Sequence, residues 1–157
     1  MKRNWKPYLF WILLSEAVGA LSGWLTREGT QLYAQTILKP TLSPPGWVFP
    51  VVWTVLYALM GIGAAIIYQA PESKIRSLGL NLFVAQLVVN FFWSPIFFNL
   101  QAFGLAFVWL LLLWVLVLWM VAVFWRIEPF AAKLQIPYLI WLTFAAYLNL
   151  GVWYLNR

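Results

Sequence analysis

The sequence predicts an all-α integral membrane protein built as a five-transmembrane-helix bundle, and three observations predict it. Hydrophobic residues fill 64% of the 157 positions and charged residues only 9%, against roughly 45–50% and about 25% in soluble domains. A soluble fold of this length has too little interior to hide that much apolar surface. The apolar residues also gather in five runs, each close to the ~20 residues that cross a ~30 Å hydrocarbon core. Several of the 12 tryptophans (Trp5, Trp24, Trp47, Trp125 and Trp153) fall near the ends of those runs, where indoles favour the water–lipid boundary.

The five spans follow in order. The first is predicted from near Pro7 to Trp24. It follows a basic start, but Ser15-Glu16 interrupts it and no small-residue cleavage site comes after, so it reads as a span rather than a cleaved leader. The second runs from near Pro45 to Gln69, the third from Leu78 to Phe98, the fourth from Phe103 to Trp125 and the fifth from Ile136 to Asn156. One long loop, Thr26 to Ser43, has room for a short helix over Glu28–Leu38 before Pro40, Pro44 and Pro45 enforce extended backbone. The other connections are brief turns around Pro71, Asn99 and Pro129. Residues 1–157 read as a single membrane domain.

The formal charge of +6 does not mark a nucleic-acid surface, because the basic residues are scattered between apolar runs. Their distribution reads as topology. Lys2, Arg3, Lys6, Lys74, Arg76, Arg126 and Lys133 fall on one side, and Arg27, Lys39 and Arg157 on the other. The excess predicts a cytoplasmic amino terminus in a multi-pass protein. Cys and His are both absent. Thiolate chemistry, the commonest metal ligand and the usual general base are therefore missing, and neither a metal site nor a resident cofactor is expected.

Polar groups inside spans are costly and so informative. Glu16 is the one acidic residue within a span, and it reads as a structural carboxyl facing a neighbouring helix, with a proton or ligand site as the alternative. Gly19 and Gly23 form a G-x-x-x-G spacing, equally suited to packing within the chain or to a dimer seam. Gln86, Asn90 and Ser94 share one face of span three, with Trp93 beside them. Pro95 should bend that span and free the carbonyl of Phe91. Tyr138, Trp141, Ala145 and Asn149 share a face of span five, and span two offers Trp53 and Tyr57 one turn apart. Together these faces predict a pocket with aromatic walls and a few amide groups, the build expected for a large, flat, mostly apolar ligand. Trp109, Trp114 and Trp119 keep to no single face, so they are expected to meet lipid or to pack variously. Val152-Trp153-Tyr154 with Arg157 fits the loose pattern proposed for cholesterol contact.

Two motifs carry a family resemblance. One is Lys39-Pro40, Pro44-Pro45-Gly46, then Trp53. The other is Pro137-Tyr138-Leu139-Ile140-Trp141-Leu142-Thr143-Phe144-Ala145-Ala146-Tyr147-Leu148-Asn149, running into Val152-Trp153. With the span count and the single long first loop, the chain resembles the tryptophan-rich sensory protein (TspO) and translocator protein family. Leu32 and Leu42 stand where that family often carries tryptophan. The resemblance implies a five-helix bundle, often a homodimer, that binds porphyrins, especially protoporphyrin, and in some members other tetrapyrroles or sterols. It implies ligand contacts from Tyr33, Pro44, Pro45, Trp53, Tyr57, Asn90, Trp93, Trp141 and Ala145. Arg27 and Lys39 on the loop side are candidates for porphyrin propionates. The leading expectation is a binding and sensing protein for tetrapyrroles, acting in stress. The alternatives are a light-dependent porphyrin-degrading enzyme using indole and phenol radicals, or a transporter of porphyrins or sterols. No nucleophile or acid–base pair supports other chemistry.

Overall fold

The computed structural model describes residues 4–157. Lys2 and Arg3, which contribute to the charge asymmetry, lie outside the described residues. Five helical segments are long and apolar enough to cross a membrane. The first is α1 (Trp5–Leu25), followed by a short α2 (Arg27–Thr36) in the long loop. Then come α3 (Val48–Tyr68), α4 (Lys74–Ser94) with a π-helical turn at Pro95–Asn99, α5 (Phe103–Ile127), a five-residue α6 (Pro129–Lys133) and α7 (Ile136–Asn156). The chain is a multi-pass membrane protein.

Local chemistry sets the ends. Asn4 caps α1 by accepting from the Lys6 amide, and Ser73 caps α4 by accepting from Arg76. That cap starts the third span earlier than the apolar run alone suggests. The second span starts later than expected, at Val48, because residues 44 and 45 are both proline; the Val48 amide closes a turn onto the Pro45 carbonyl. The loop helix ends at Thr36, and the turn expected around Pro129 contains α6, with proline in its first turn. Lys6, Lys74, Arg76, Arg126 and Lys133 share one end of the bundle, where the Asn4 amide donates to Gln69 Oε1. The other, loop end carries α2 and the carboxyl end of α7.

Pro95 acts as its chemistry requires. It has no N–H to offer the Phe91 carbonyl, and Ser22 Oγ of α1 donates to that carbonyl instead at 3.0 Å. The helix then widens, with Leu100 N–H reaching the Pro95 carbonyl at 3.0 Å.

The most intimate pair is α1 against α3. Gly61 brings α3 onto the backbone of Ile12, and Gly19 seats the ring of Tyr57, which leaves no room for a side chain at either glycine. Gly23, by contrast, is exposed and has open space around it. The Gly19 half of the motif therefore packs within the chain. Around the bundle the order is α3, α1, α4, α5, α7. Between α7 and α3 the ring closes differently, since these two helices scarcely approach backbone to backbone.

Trp5, Trp24, Trp47, Trp125 and Trp153 are exposed near span ends, as a boundary belt requires. Trp109 and Trp114 fasten α5 to its neighbours, donating to the Val89 carbonyl and to Thr143 Oγ1, whereas Trp119 is half exposed.

Candidate functional site

Large rings fill the gap between α3 and α7. From α3, Phe49, Trp53 and Tyr57 point the same way because they recur every four residues. From α7 come Tyr138 and Trp141. Trp53 lies 5.5 Å from Tyr57, 6.1 Å from Tyr138 and 6.5 Å from Trp141, the last two edge-on. Phe49 meets Trp141 at 5.8 Å. Edge-to-face pairs of this kind contribute ~0.5–1.5 kcal/mol each. The seam is thus held by ring contacts that can rearrange, not by interlocked backbones. Ala145, buried one turn along α7 from Trp141, adds a small apolar surface.

A chain of hydrogen bonds runs beneath the rings. Tyr57 donates to Asn90 Oδ1 at 2.5 Å. Asn90 Nδ2 donates to the Tyr138 oxygen at 2.7 Å, and Tyr138 donates to Gln86 Oε1 at 2.8 Å. Gln86 Nε2 ends the chain against the Met60 sulfur. All four polar residues are buried. The chain couples α3, α4 and α7 and satisfies groups that would otherwise be costly in an apolar interior. Trp141 Nε1 stands apart: it is a buried donor without an acceptor among the described residues. An orphaned donor of this kind costs roughly 1–3 kcal/mol.

A second aromatic cluster sits at the loop end. Trp93 stacks on Phe97 at 4.9 Å and donates Nε1 to Asn149 Oδ1 at 3.0 Å. Asn149 Nδ2 donates on to the Phe103 carbonyl. Tyr33 of α2 packs on Phe97 and Phe98 at 5.4 and 5.2 Å. Burial there raises the Tyr33 hydroxyl above its ordinary pKa of 10.0. Trp93 packs against both clusters and is their link.

Of the residues singled out from the sequence, Trp53, Tyr57, Asn90 and Trp141 come together, with Trp93 and Ala145 at their border. Tyr33 joins the loop-end cluster instead. Pro44 and Pro45 lie on the connection leading into α3. Lys39 and Arg27 are engaged locally: the Lys39 ammonium donates to the carbonyls of Tyr33, Ala34 and Ile37, and Arg27 donates to the Trp24 carbonyl. Glu16 is partly buried on α1, one turn before the glycine that seats Tyr57. Phe49 was missed, although its place one turn before Trp53 on an apolar helix was a signal for it. Tyr138 and Gln86, on faces assigned to the pocket from the sequence, join the set, although the resemblance did not imply them as ligand contacts.

The TspO/MBR family model matches residues 11–155. Protein CrtK of Rhodobacter capsulatus is 40% identical over 77% of this chain and 76% of its own length. The tryptophan-rich protein TspO of Chlorobaculum tepidum is 36% identical over 89% of each chain. The translocator protein of Bos taurus is 36% identical over all of this chain and 94% of its own. With a family model spanning nearly the whole sequence and relatives matched along most of their length, the chain belongs to the TspO/MBR family.

Proposed function

We propose that the seam between α3 and α7 binds a large, flat, mostly apolar molecule of the porphyrin class, and that the protein senses or handles such molecules in its membrane. The observation that carries the reading is the Trp141 indole. It is a donor with no acceptor among the described residues, set among Phe49 and Trp53 in a wall of rings. A porphyrin supplies what that wall lacks: an extended π face for the indoles and acceptor groups at its rim for the N–H. The rings now touch one another, so Trp53 and Trp141 must swing apart to admit it. Ring contacts allow this more readily than interlocked backbones. Lack of histidine and cysteine suits a metal-free porphyrin better than axially ligated haem. Relatives named sensory protein and translocator protein support a sensing or transport role. From the distribution of Lys and Arg we also infer that the basic end of the bundle faces the cytoplasm.

The test is a dark titration of the detergent-purified protein with protoporphyrin, followed by quenching of tryptophan emission. Saturable quenching, weakened about tenfold by Trp141→Phe or Asn90→Ala, is the expected result, equivalent to ~1.4 kcal/mol of lost binding. Linear, non-saturable quenching identical in all three proteins would mean partitioning into the micelle and would overturn the reading.

A further inference from the structure

At its basic end the seam between α3 and α7 is closed by a glutamine. Gln135 immediately precedes α7 and is fully buried, yet its side chain does not cap its own helix. Its Nε2 donates instead to the Leu59 carbonyl of α3 at 3.2 Å and to the Ala131 carbonyl of α6 at 3.4 Å. One NH2 group thus bridges two helices. Its Oε1 has no partner among the described residues, so the amide is held by the nitrogen alone. Gly63 makes the room: a Cβ there would run into Gln135 Nε2 and fall 3.3 Å from the Ala131 carbonyl oxygen. Ala64, Ala65, Ala131 and Ala132 are fully buried. Small residues let α3 and α6 meet backbone to backbone here, which α3 and α7 scarcely do further along the seam.

The other half of α3 is loose by comparison. Val51 and Val55 are 54% and 55% exposed, and rings rather than backbones join α3 to α7 there. Two bodies meet along this line. One is the α1–α3 pair, with Gly61 of α3 against the backbone of Ile12. The other is α4, α5 and α7, tied by Trp109 to the Val89 carbonyl, by Trp114 to Thr143 and by Asn149 to the Phe103 carbonyl. Away from the polar chain around Asn90, hydrogen bonds between the helices of the two bodies lie in two places. At the basic end are the Gln135 bridge and, on the surface, Arg76 donating to the Tyr68 carbonyl. Towards the loop end, Ser22 donates to the Phe91 carbonyl and Asn99 to the Leu25 carbonyl. Two fixed places define an axis, and the rings of the α3–α7 seam lie away from both.

We propose that Gln135 is the pin of a hinge: the α1–α3 pair turns about it against α4, α5 and α7 when the seam takes its ligand, so the rings part while the basic end stays closed. This rests on the seam being the binding site. Gln135 is a positioning residue, because it touches α3 and α6 and not the rings. A rod fixed at one point moves in proportion to the distance from that point. Trp53 stands ~15 Å along α3 from Gly63, and Val51 ~18 Å, at ~1.5 Å per residue. Shifting Trp53 by ~3.5 Å, the spacing of atoms in contact, therefore carries Val51 by ~4 Å and leaves the level of Gly63 in place.

The chain has no cysteine of its own, so spin labels can be placed in pairs. Val51→Cys/Leu150→Cys reads the loop-end half of the seam, and Ala70→Cys/Ile136→Cys reads its basic end. Both distances are measured by double electron–electron resonance in lipid nanodiscs, in the dark. Saturating protoporphyrin is expected to lengthen the first by about 4 Å and to change the second by less than about 1 Å. Equal lengthening of both, or of neither, would overturn the hinge. Without porphyrin, Gln135→Leu keeps the bulk and removes the bridge. It is expected to broaden the basic-end distance distribution, and an unchanged width would overturn the pin. Thermal unfolding tests the notch itself. Gly63→Ala is expected to lower the melting temperature, and adding Gln135→Ala to restore most of that loss, because the amide that the methyl strikes is gone. A double variant no more stable than Gly63→Ala would overturn the contact. If protoporphyrin fails to quench tryptophan emission saturably, the ligand reading falls, and the Gln135→Leu width and the notch exchange still decide the pin.

Discussion

Replacing Asn90 by alanine tests the polar chain that ties three helices together under the rings. The change removes the acceptor of the Tyr57 hydroxyl and one donor to Tyr138. Tyr138 keeps its bond to Gln86 and loses only an accepted one. Tyr57 fares worse, because its buried O–H has no other partner among the described residues. An unsatisfied buried donor costs ~1–3 kcal/mol, while hydrogen bonds between helices in a bilayer average ~0.6 and reach ~1.7 kcal/mol. Both scales overlap at about 1–2 kcal/mol, which is the destabilisation expected for Asn90→Ala. Tyr57→Phe removes the orphan itself. The double variant should therefore lose about 1 kcal/mol less than the two single losses added together. Reversible unfolding in mixed detergent micelles, followed by near-ultraviolet circular dichroism, reads all three. Strict additivity, or an Asn90→Ala loss below about 0.5 kcal/mol, would show that this chain does not hold the seam.

Three further outcomes follow from single contacts. Gly19→Ala forces the Tyr57 ring off its seat and should weaken porphyrin binding, while Gly23→Ala, facing open space, should leave it unchanged; equal losses in the titration would refute this. Ser22→Ala orphans the Phe91 carbonyl and should cost about 1–2 kcal/mol. That cost should shrink in a Pro95→Ala background, where the helix can reclaim the carbonyl; an unchanged cost in thermal unfolding would contradict it. The raised pKa of Tyr33 means that ionisation is disfavoured in the folded state, so its packing contributes fully below the ordinary value of 10.0 and is lost as pH rises through the raised, folded-state value. Proteolysis of α2 should accelerate above that pH, and Tyr33→Phe should abolish the acceleration.

Most of the fold was legible because hydropathy alone separates spans from connections in a membrane protein. Proline chemistry extended the reading to a detail: the loss of an N–H at Pro95 implied a free Phe91 carbonyl, and a serine on another helix takes it. Facing was legible too, since helical periodicity put Trp53 with Tyr57 and Tyr138 with Trp141. Periodicity says which residues share a face but not which helix that face meets. Depth and polarity were enough to join the faces of α3, α4 and α7 into one expected pocket, but not to show that its rings would meet one another, and Phe49 was not among those marked. Tyr33 illustrates the same limit. Its placement came from resemblance, and it packs on the turn after Pro95 rather than on Trp53. The two glycines of the G-x-x-x-G spacing look alike in sequence and differ entirely in surroundings. The pairing of Asn156 with the Leu38 backbone was invisible because an asparagine near a helix end carries no mark of the backbone it will grip.

Photochemical attachment locates bound porphyrin on the chain itself. A diazirine-bearing protoporphyrin is bound in the dark to the protein in lipid nanodiscs and activated in the diazirine band, and the labelled peptides are sequenced. Labels concentrated on α3 around Trp53 and on α7 around Trp141, and displaced by excess protoporphyrin, are the expected result. Labels spread over the lipid-facing side of α5 around Leu112 and Trp119, and undiminished by excess protoporphyrin, would contradict it.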